Sequence, residues 1–232
     1  MPSSYKYQTE LLRERGAKHS EAYGATLCTK LEEAAQPLLE WLAYLRGSHL
    51  TGTADVLLEG VQAAVLETAG CLSLGIVRPA LFSLRAQVDM LLAWLYYKDH
   101  PIEWEYIQDT GEGFKLKGAL IEYLSSYFPK YKQRIVILKR VKKRKEDDPY
   151  RLLSAHIHCQ SSSCIPSIGN LDILIRPFEE CLECVDIQRE VVEYLNDILI
   201  SCYAERWAAI PKAIVRATTG RLTTAQKKEF YK

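Results

Sequence analysis

The segment at residues 76–98 constrains the fold most strongly, because it is the most apolar stretch of the chain. Gly75 precedes it and His100-Pro101 ends it, since a proline disfavours the helical conformation at the residue before it. An apolar segment of this length between two such breaks predicts a long helix at the centre of the protein.

Several other segments share the helical spacing of apolar residues, and no repeat, low-complexity tract or interdomain linker separates them. Pro37 predicts a kink in the first of these helices. We therefore predict an all-α fold, a single-domain bundle of long helices over residues 19–215, with a flexible arm at 1–18 and a polar tail at 216–232. The predicted helices cover residues 20–45, 53–72, 76–98, 115–128, 177–206 and a shorter segment from Ala209, with a loop at 160–170.

The composition is that of an ordinary soluble globular protein, with 48% hydrophobic and 25% charged residues. No apolar run approaches the roughly 18 residues that a membrane-spanning helix needs, and residues 1–15 are polar. The seven cysteines are an odd number scattered through apolar segments, which is typical of reduced thiols. These features predict a cytoplasmic protein that has no membrane partner.

Positive charge is concentrated in residues 130–145, which hold nine Lys or Arg and no acid. The whole chain has 30 basic and 29 acidic residues, so the remainder is left with 21 basic and 29 acidic residues, a net charge of −8. This concentration favours a local anionic partner such as RNA, while a solvated face without a partner is the alternative. We expect the segment to be helical, with these RNA-binding residues: Lys130, Lys132, Arg134, Lys139, Arg140, Lys142, Lys143, Arg144 and Lys145.

A short segment after the basic one holds residue types suited to acid–base chemistry. Asp148 and Pro149 predict the start of a helix, as N-cap and first helical residue. On that helix Arg151, Ser154 and His158 fall within a stripe roughly 60° wide, whereas His156 lies about 140° from Arg151.

The chemistry of these residue types points to phosphodiester cleavage. An imidazole can take the proton of a ribose 2′-OH, and a guanidinium can bind two phosphate oxygens. Ser154 would orient either group or bind a phosphate oxygen. Such a site needs no metal and no other cofactor.

The spacings Arg151-x6-His158 and Arg151-x4-His156 both fit the R-x4-6-H signature of HEPN ribonucleases, which this segment resembles. The phrase Tyr150-x-x-Leu153-Ser154-x-x-x-His158 is also similar to a pattern in HEPN-like bacterial families. Leu152 departs from the polar residue that commonly follows the family's arginine. Arg13-x5-His19, in the predicted arm, fits the same spacing without a comparable context.

The resemblance implies a HEPN-like all-α protein that cleaves RNA without a metal ion and acts as a toxin or defence effector. It also implies a homodimer in which the motifs of two protomers face each other. Arg151 and His158 would then be catalytic, with His156 as the second candidate. The alternative is a non-catalytic helical subunit that binds RNA or another protein of a defence or toxin–antitoxin complex.

Charged residues within the apolar segment 76–98 are expected to form an ion pair or to line the site. Arg85 and Asp89 are four positions apart, which suits a structural ion pair. Alternatively, Arg78 and Arg85, seven apart on one face, help line the same site as Tyr150. Cys181-x-x-Cys184 lacks the glycines usual around metal-binding pairs, so we predict no metal site.

Overall fold

The computed structural model describes residues 4–160, 162–165 and 169–232, and this part of the chain contains helices, turns and loops but no strand. The predicted all-α class is therefore confirmed. The α-helices are α1 (Tyr5–His19), α2 (Ala25–Ser48), α3 (Val56–Ser73), α4 (Val77–Tyr97), α5 (Pro101–Thr110), α6 (Lys117–Tyr127), α7 (Tyr131–Arg140), α8 (Pro149–Ile157), α9 (Phe178–Tyr203), α10 (Lys212–Thr219) and α11 (Thr224–Tyr231).

Short turns of other helical types complete the structure. A π-helical turn, Ser20–Gly24, joins α1 to α2, and 3-10 turns lie at Ser162–Cys164, Leu171–Leu174 and Ala204–Arg206. Helix α2 continues through Pro37. Helix α5 begins with Pro101 at its first position and ends at Gly111, whose φ of 73° is the left-handed conformation that glycine adopts without a Cβ penalty.

The chain divides into two compact units, each built from three segments. The first unit comprises Met1–Ala35, Ala63–Ala86 and Asp148–Val191, and the second comprises Gln36–Gln62, Gln87–Asp147 and Val192–Lys232. The divisions fall within α2, α3, α4 and α9, and between α7 and α8.

The first unit has an aliphatic core that includes the buried Leu27, Leu72, Leu84 and Leu153. A close approach of backbone to side chains occurs at Gly75, where a Cβ would lie 2.8 Å from Ile175. The Gly75 carbonyl accepts a hydrogen bond from the Arg176 backbone N–H at 2.8 Å. A side chain at Gly75 would collide with Ile175 and disrupt the hydrogen bond to Arg176, so the position requires glycine.

Helix α1 is part of the first unit, although the sequence predicted a flexible arm there. Ser4 caps it by accepting a hydrogen bond from the Tyr7 backbone N–H. Arg15 forms an ion pair with Asp172 at 2.9 Å, and the Gln8 side chain accepts a hydrogen bond from the Leu171 backbone N–H at 3.2 Å. These contacts bind α1 to the 3-10 turn Leu171–Leu174.

The second unit has a more aromatic core, in which Trp41, Trp94 and Phe230 are buried. Trp41 donates to Asn196 and Trp94 donates to Asp55, each at 3.0 Å, so both indole N–H groups are satisfied. Phe230 belongs to α11, in the segment that the sequence predicted as a polar tail. Helices α10 and α11 are instead folded onto this unit.

One described helix, α3, is long and apolar enough to cross a membrane by length and composition, with a mean hydropathy of 1.3. The expectation that no apolar run reaches this length is therefore wrong for α3. About a third of the helix, 33%, is buried inside the protein. Core helices of soluble proteins share this length and composition, so α3 by itself does not indicate a membrane span.

Candidate active site

The candidate active site lies in the first unit, around α8 and the part of α4 that belongs to this unit. Helix α8 starts where the sequence predicted, with Asp148 at the N-cap and Pro149 at the first helical position. It ends at Ile157, and His158 follows as the C-cap, with its backbone N–H bonded to the Ser154 carbonyl at 2.9 Å. The buried Leu153 anchors the helix in the core.

His158 is exposed, and the arginine in contact with it is Arg85 of α4. The distance from a terminal guanidinium nitrogen of Arg85 to His158 Nε2 is 3.2 Å. A guanidinium can only donate, so this contact is a hydrogen bond in the tautomer whose Nε2 carries the lone pair. That tautomer presents an imidazole nitrogen that can accept a proton.

Tyr150 holds Arg85 in this position. The other terminal nitrogen of Arg85 donates to the Tyr150 hydroxyl at 2.8 Å, and the guanidinium lies 4.7 Å from the centre of the Tyr150 ring. The arginine is thus fixed by two directional contacts and a cation–π interaction. Arg85, Tyr150 and His158 form one cluster, which we call the Arg85–His158 cluster.

Arg78, one heptad before Arg85 on α4, contacts the end of α8. Its guanidinium donates to the His156 carbonyl at 3.4 Å and lies 3.4 Å from the Cys159 sulfur. Cys159 has a φ of 50°, in the left-handed region that non-glycine residues rarely adopt. Arg78 therefore secures the chain where it turns after α8, as expected if both arginines line this region.

Arg151 and Ser154, the other predicted residues of the motif, differ in their exposure to solvent. The Arg151 side chain is exposed, and within the described ranges it makes no hydrogen bond or ion pair. The Ser154 hydroxyl is buried and has no hydrogen-bond partner among the described residues, so it is not at the surface where a substrate could reach it. Asp89 lies further along α4 and is half-buried.

His156 is half-buried, and its pKa is lowered from the ordinary histidine value. Burial is the main cause and the positive charge of Arg78 the second. His156 is therefore biased toward the neutral form. Because the unfolded chain binds this proton more readily, stability contributed by the neutral ring is lost as the pH falls below the unfolded-state pKa.

Replacing Arg78 with Gln is expected to raise the pKa of His156, because the change removes one of the two causes of its depression. The rise should be partial, since burial remains. The measurement is an NMR titration of the His156 ring proton. Arg78→Lys, which keeps the charge, is the matched control and should leave the pKa low. A pKa of His156 that does not respond to Arg78→Gln contradicts this assignment.

The basic segment belongs to the second unit. The prediction of RNA binding is wrong for two of its nine basic residues, Arg134 and Arg144. Arg134 is buried and donates to the carbonyls of Phe230 and Ser201, each at 3.2 Å. Arg144 is buried and donates to Asp197 at 2.5 Å. Both guanidinium groups satisfy internal acceptors, so they are structural and unavailable to a nucleic acid.

The remaining basic residues of this segment lie at or near the surface. Lys142 is half-buried and forms an ion pair with Asp147 at 2.5 Å. Lys130 donates to the Lys232 carbonyl at 2.7 Å. The helix predicted for the whole segment is limited to α7, and residues 141–148 form an irregular connection. The exposed side chains are Lys130, Lys132, Lys139, Arg140, Lys143 and Lys145.

The cysteine pair of α9 is buried in the first unit. Burial raises the pKa of Cys181 to about 11 and that of Cys184 to about 12, so both thiols stay protonated at neutral pH. Within the described part of the chain, no group of three His, Cys, Asp or Glu side chains is arranged to bind a metal ion.

The chain matches no family model, no curated protein and no solved structure. Its function is therefore inferred from the geometry of the Arg85–His158 cluster and the residues around it.

Proposed function

We propose that this protein is a metal-independent endoribonuclease of HEPN type in which His158 is the acid–base group. The observation that carries the proposal is the 3.2 Å contact between Arg85 and His158 Nε2, in a cluster whose histidine is exposed. It provides an imidazole lone pair and a fixed guanidinium at one place on the surface. These are the two groups that phosphodiester transfer to a ribose 2′-oxygen requires.

The mechanism begins when a phosphate group replaces His158 as the acceptor of the Arg85 N–H. A phosphate oxygen is the stronger acceptor because it is charged, so the guanidinium moves its hydrogen bond to the substrate. The Nε2 lone pair is then free to take the 2′-OH proton. The 2′-oxygen bonds to phosphorus, and the bond from phosphorus to the 5′-oxygen breaks.

The proton returns from the His158 imidazolium to the departing 5′-oxygen through water. The products are a 2′,3′-cyclic phosphate and a 5′-hydroxyl end. Arg85 stabilises the charge that develops on the phosphoryl oxygens, and Tyr150 positions Arg85. The exposed Arg151 supplies a further phosphate contact.

The proposal is tested by incubating the purified protein with total RNA and tRNA in EDTA. Cleavage that leaves 2′,3′-cyclic phosphate ends is the expected result. Cleavage only after Mg²⁺ is added, or no cleavage of either RNA, would overturn the proposal.

We further propose that the enzyme acts as a toxin or defence effector, as a homodimer or with a second protein subunit. Because an active toxin harms its host, the wild-type protein should express poorly and His158→Ala should express well.

The second candidate function is a non-catalytic RNA-binding subunit. The exposed lysines and arginine around α7 favour it, because side chains of this kind contribute phosphate contacts whatever the base sequence. RNA binding without cleavage would support this function in place of the first.

Either function leads to a prediction for the exposed cations of α7. The double variant Lys139→Ala/Arg140→Ala is expected to weaken RNA binding and to reduce the slope of log K against log salt by about 1.4, or about 0.7 for each phosphate that is no longer neutralised. The measurement is fluorescence anisotropy with a labelled RNA at several salt concentrations. Lys6→Ala/Arg13→Ala, which removes two exposed cations of α1, is the control. Equal effects of the two double variants would contradict a local RNA site.

A further inference from the structure

An aromatic cleft of about 610 Å³ in the second unit is not used by the proposed function. Tyr96 and His100 stack with ring centres 4.0 Å apart, and Tyr123 meets Tyr96 edge-on at 4.9 Å. Tyr127 lies beyond, 5.1 Å from Tyr123. The cleft is therefore lined by several π faces, which carry negative potential above the ring.

Carboxylates flank these rings. Asp99 accepts a hydrogen bond from the Tyr123 hydroxyl at 3.0 Å and also pairs with Lys98. Burial is the main cause of the raised pKa of Tyr123, so its hydroxyl remains a donor to Asp99. Glu122 is exposed at the rim and has no hydrogen-bond or ion-pair partner among the residues that the structure describes. The cleft thus combines π faces with an available negative charge.

One end of the cleft already holds an ammonium group of the chain itself. The Lys115 Nζ lies 5.7 Å from the centre of the Tyr96 ring and 2.9 Å from a Glu103 carboxylate oxygen. Glu103 also accepts from the Tyr96 hydroxyl at 2.8 Å. In this arrangement a cation lies on a tyrosine face and pairs with a carboxylate. The aromatic surface therefore accommodates an ammonium group.

The other end is lined by groups of the same kinds, and apart from Lys115 no lysine or arginine of the described residues lines the cleft. Tyr127 is 73% exposed, and Glu122, on the same helix, lines the cleft with it. Tyr123 contacts the Tyr127 ring and lies next to Glu122 in sequence. Two tyrosine rings and a carboxylate therefore line this end of the cleft as well.

We propose that the cleft between α4 and α6 binds a small organic ammonium ion, with the cation on the faces of Tyr123 and Tyr127 and opposite Glu122. Attraction between a cation and the aromatic faces supplies the selectivity, since a neutral molecule of the same shape gains only apolar contact. Recognition of quaternary ammonium groups by aromatic side chains follows the same physics. The site is open, so the dissociation constant is on the order of 1 mM.

The test compares choline with its neutral isostere 3,3-dimethyl-1-butanol in NMR titrations of the full chain. The Tyr123 and Tyr127 ring signals are expected to shift with choline, and the isostere should bind at least about tenfold more weakly. Equal affinity for the two compounds would overturn the proposal, because it would leave only apolar contact. Absence of any shift up to tens of millimolar choline would overturn it as well.

Variants of residues at the rim of the cleft distinguish the contribution of the Tyr127 ring from that of its hydroxyl group. Tyr127→Phe keeps the π face and should keep choline binding, whereas Tyr127→Leu should weaken it at least about fivefold. Glu122→Gln should weaken it by a similar factor. Both residues are exposed, so the fold is expected to tolerate the changes. Undiminished binding by Tyr127→Leu would place the cation elsewhere and contradict the assignment.

Discussion

His158→Ala is expected to slow RNA cleavage in EDTA by about 100- to 10,000-fold, the usual contribution of a positioned acid–base group. The variant removes the ring nitrogen that Arg85 contacts while leaving the exposed end of α8 otherwise intact. The measurement is the single-turnover rate on an RNA that the wild-type protein cuts. Circular dichroism and thermal unfolding check that the variant is folded.

His156→Ala is the matched control, because His156 is two residues away and its side chain has no described contact with Arg85. Its rate should stay within a few-fold of wild type. If His156→Ala loses activity and His158→Ala does not, the assignment of His158 as the acid–base group is wrong, although the protein is still a ribonuclease. Arg85→Lys should also slow cleavage, since an ammonium cannot hold Tyr150 and a phosphate in the fixed geometry of a guanidinium.

Asp197→Ala is expected to lower the free energy of unfolding by about 3–5 kcal/mol, because it leaves buried arginines without their counterion. The side chains of Asp197 and Arg144 are both 0% exposed, and their ion pair has an N–O distance of 2.5 Å. Arg221, 5% exposed, pairs with the second oxygen of Asp197 and, at 2.8 Å, with Glu193. Removing one carboxylate therefore disrupts a network inside the second unit.

The measurement is urea unfolding of wild type and variant at neutral pH. Asp186→Ala provides the matched control, because Asp186 pairs with Arg189 across side chains that are 70% and 49% exposed. An exposed pair of this kind contributes at most about 1 kcal/mol. If the two aspartate variants lose equal stability, the buried network does not stabilise the fold in the way described.

Local signals in the sequence predicted the long helices α2, α3, α4 and α9, whereas the shorter α1, α5 and α11 were missed. Asp148-Pro149 marked the start of α8, and a capping box ties Thr223 to Gln226 at the start of α11. The latter pattern was present in the sequence, so α11 was predictable, yet its polar composition suggested a tail. The burial of Phe230 depends on α7, which no local pattern reveals.

The contacts of the candidate site are long-range, and one sequence does not specify them. Arg85 and His158 are 73 positions apart, and helix geometry could pair His158 only with Arg151. The basic segment posed the same problem. Arg134 and Arg144 look like their exposed neighbours in sequence, and only the acceptors on other elements distinguish them as buried.

The most direct test of the central claim is cleavage, in EDTA, of one RNA in two forms. The first form is all-ribose, and the second carries a single 2′-deoxynucleotide at the position that the protein cuts. If His158 activates a 2′-OH, the first is cut to a 2′,3′-cyclic phosphate and the second is left intact at that position. Cleavage of both forms, cleavage that requires added metal, or no cleavage of the all-ribose RNA would contradict the account.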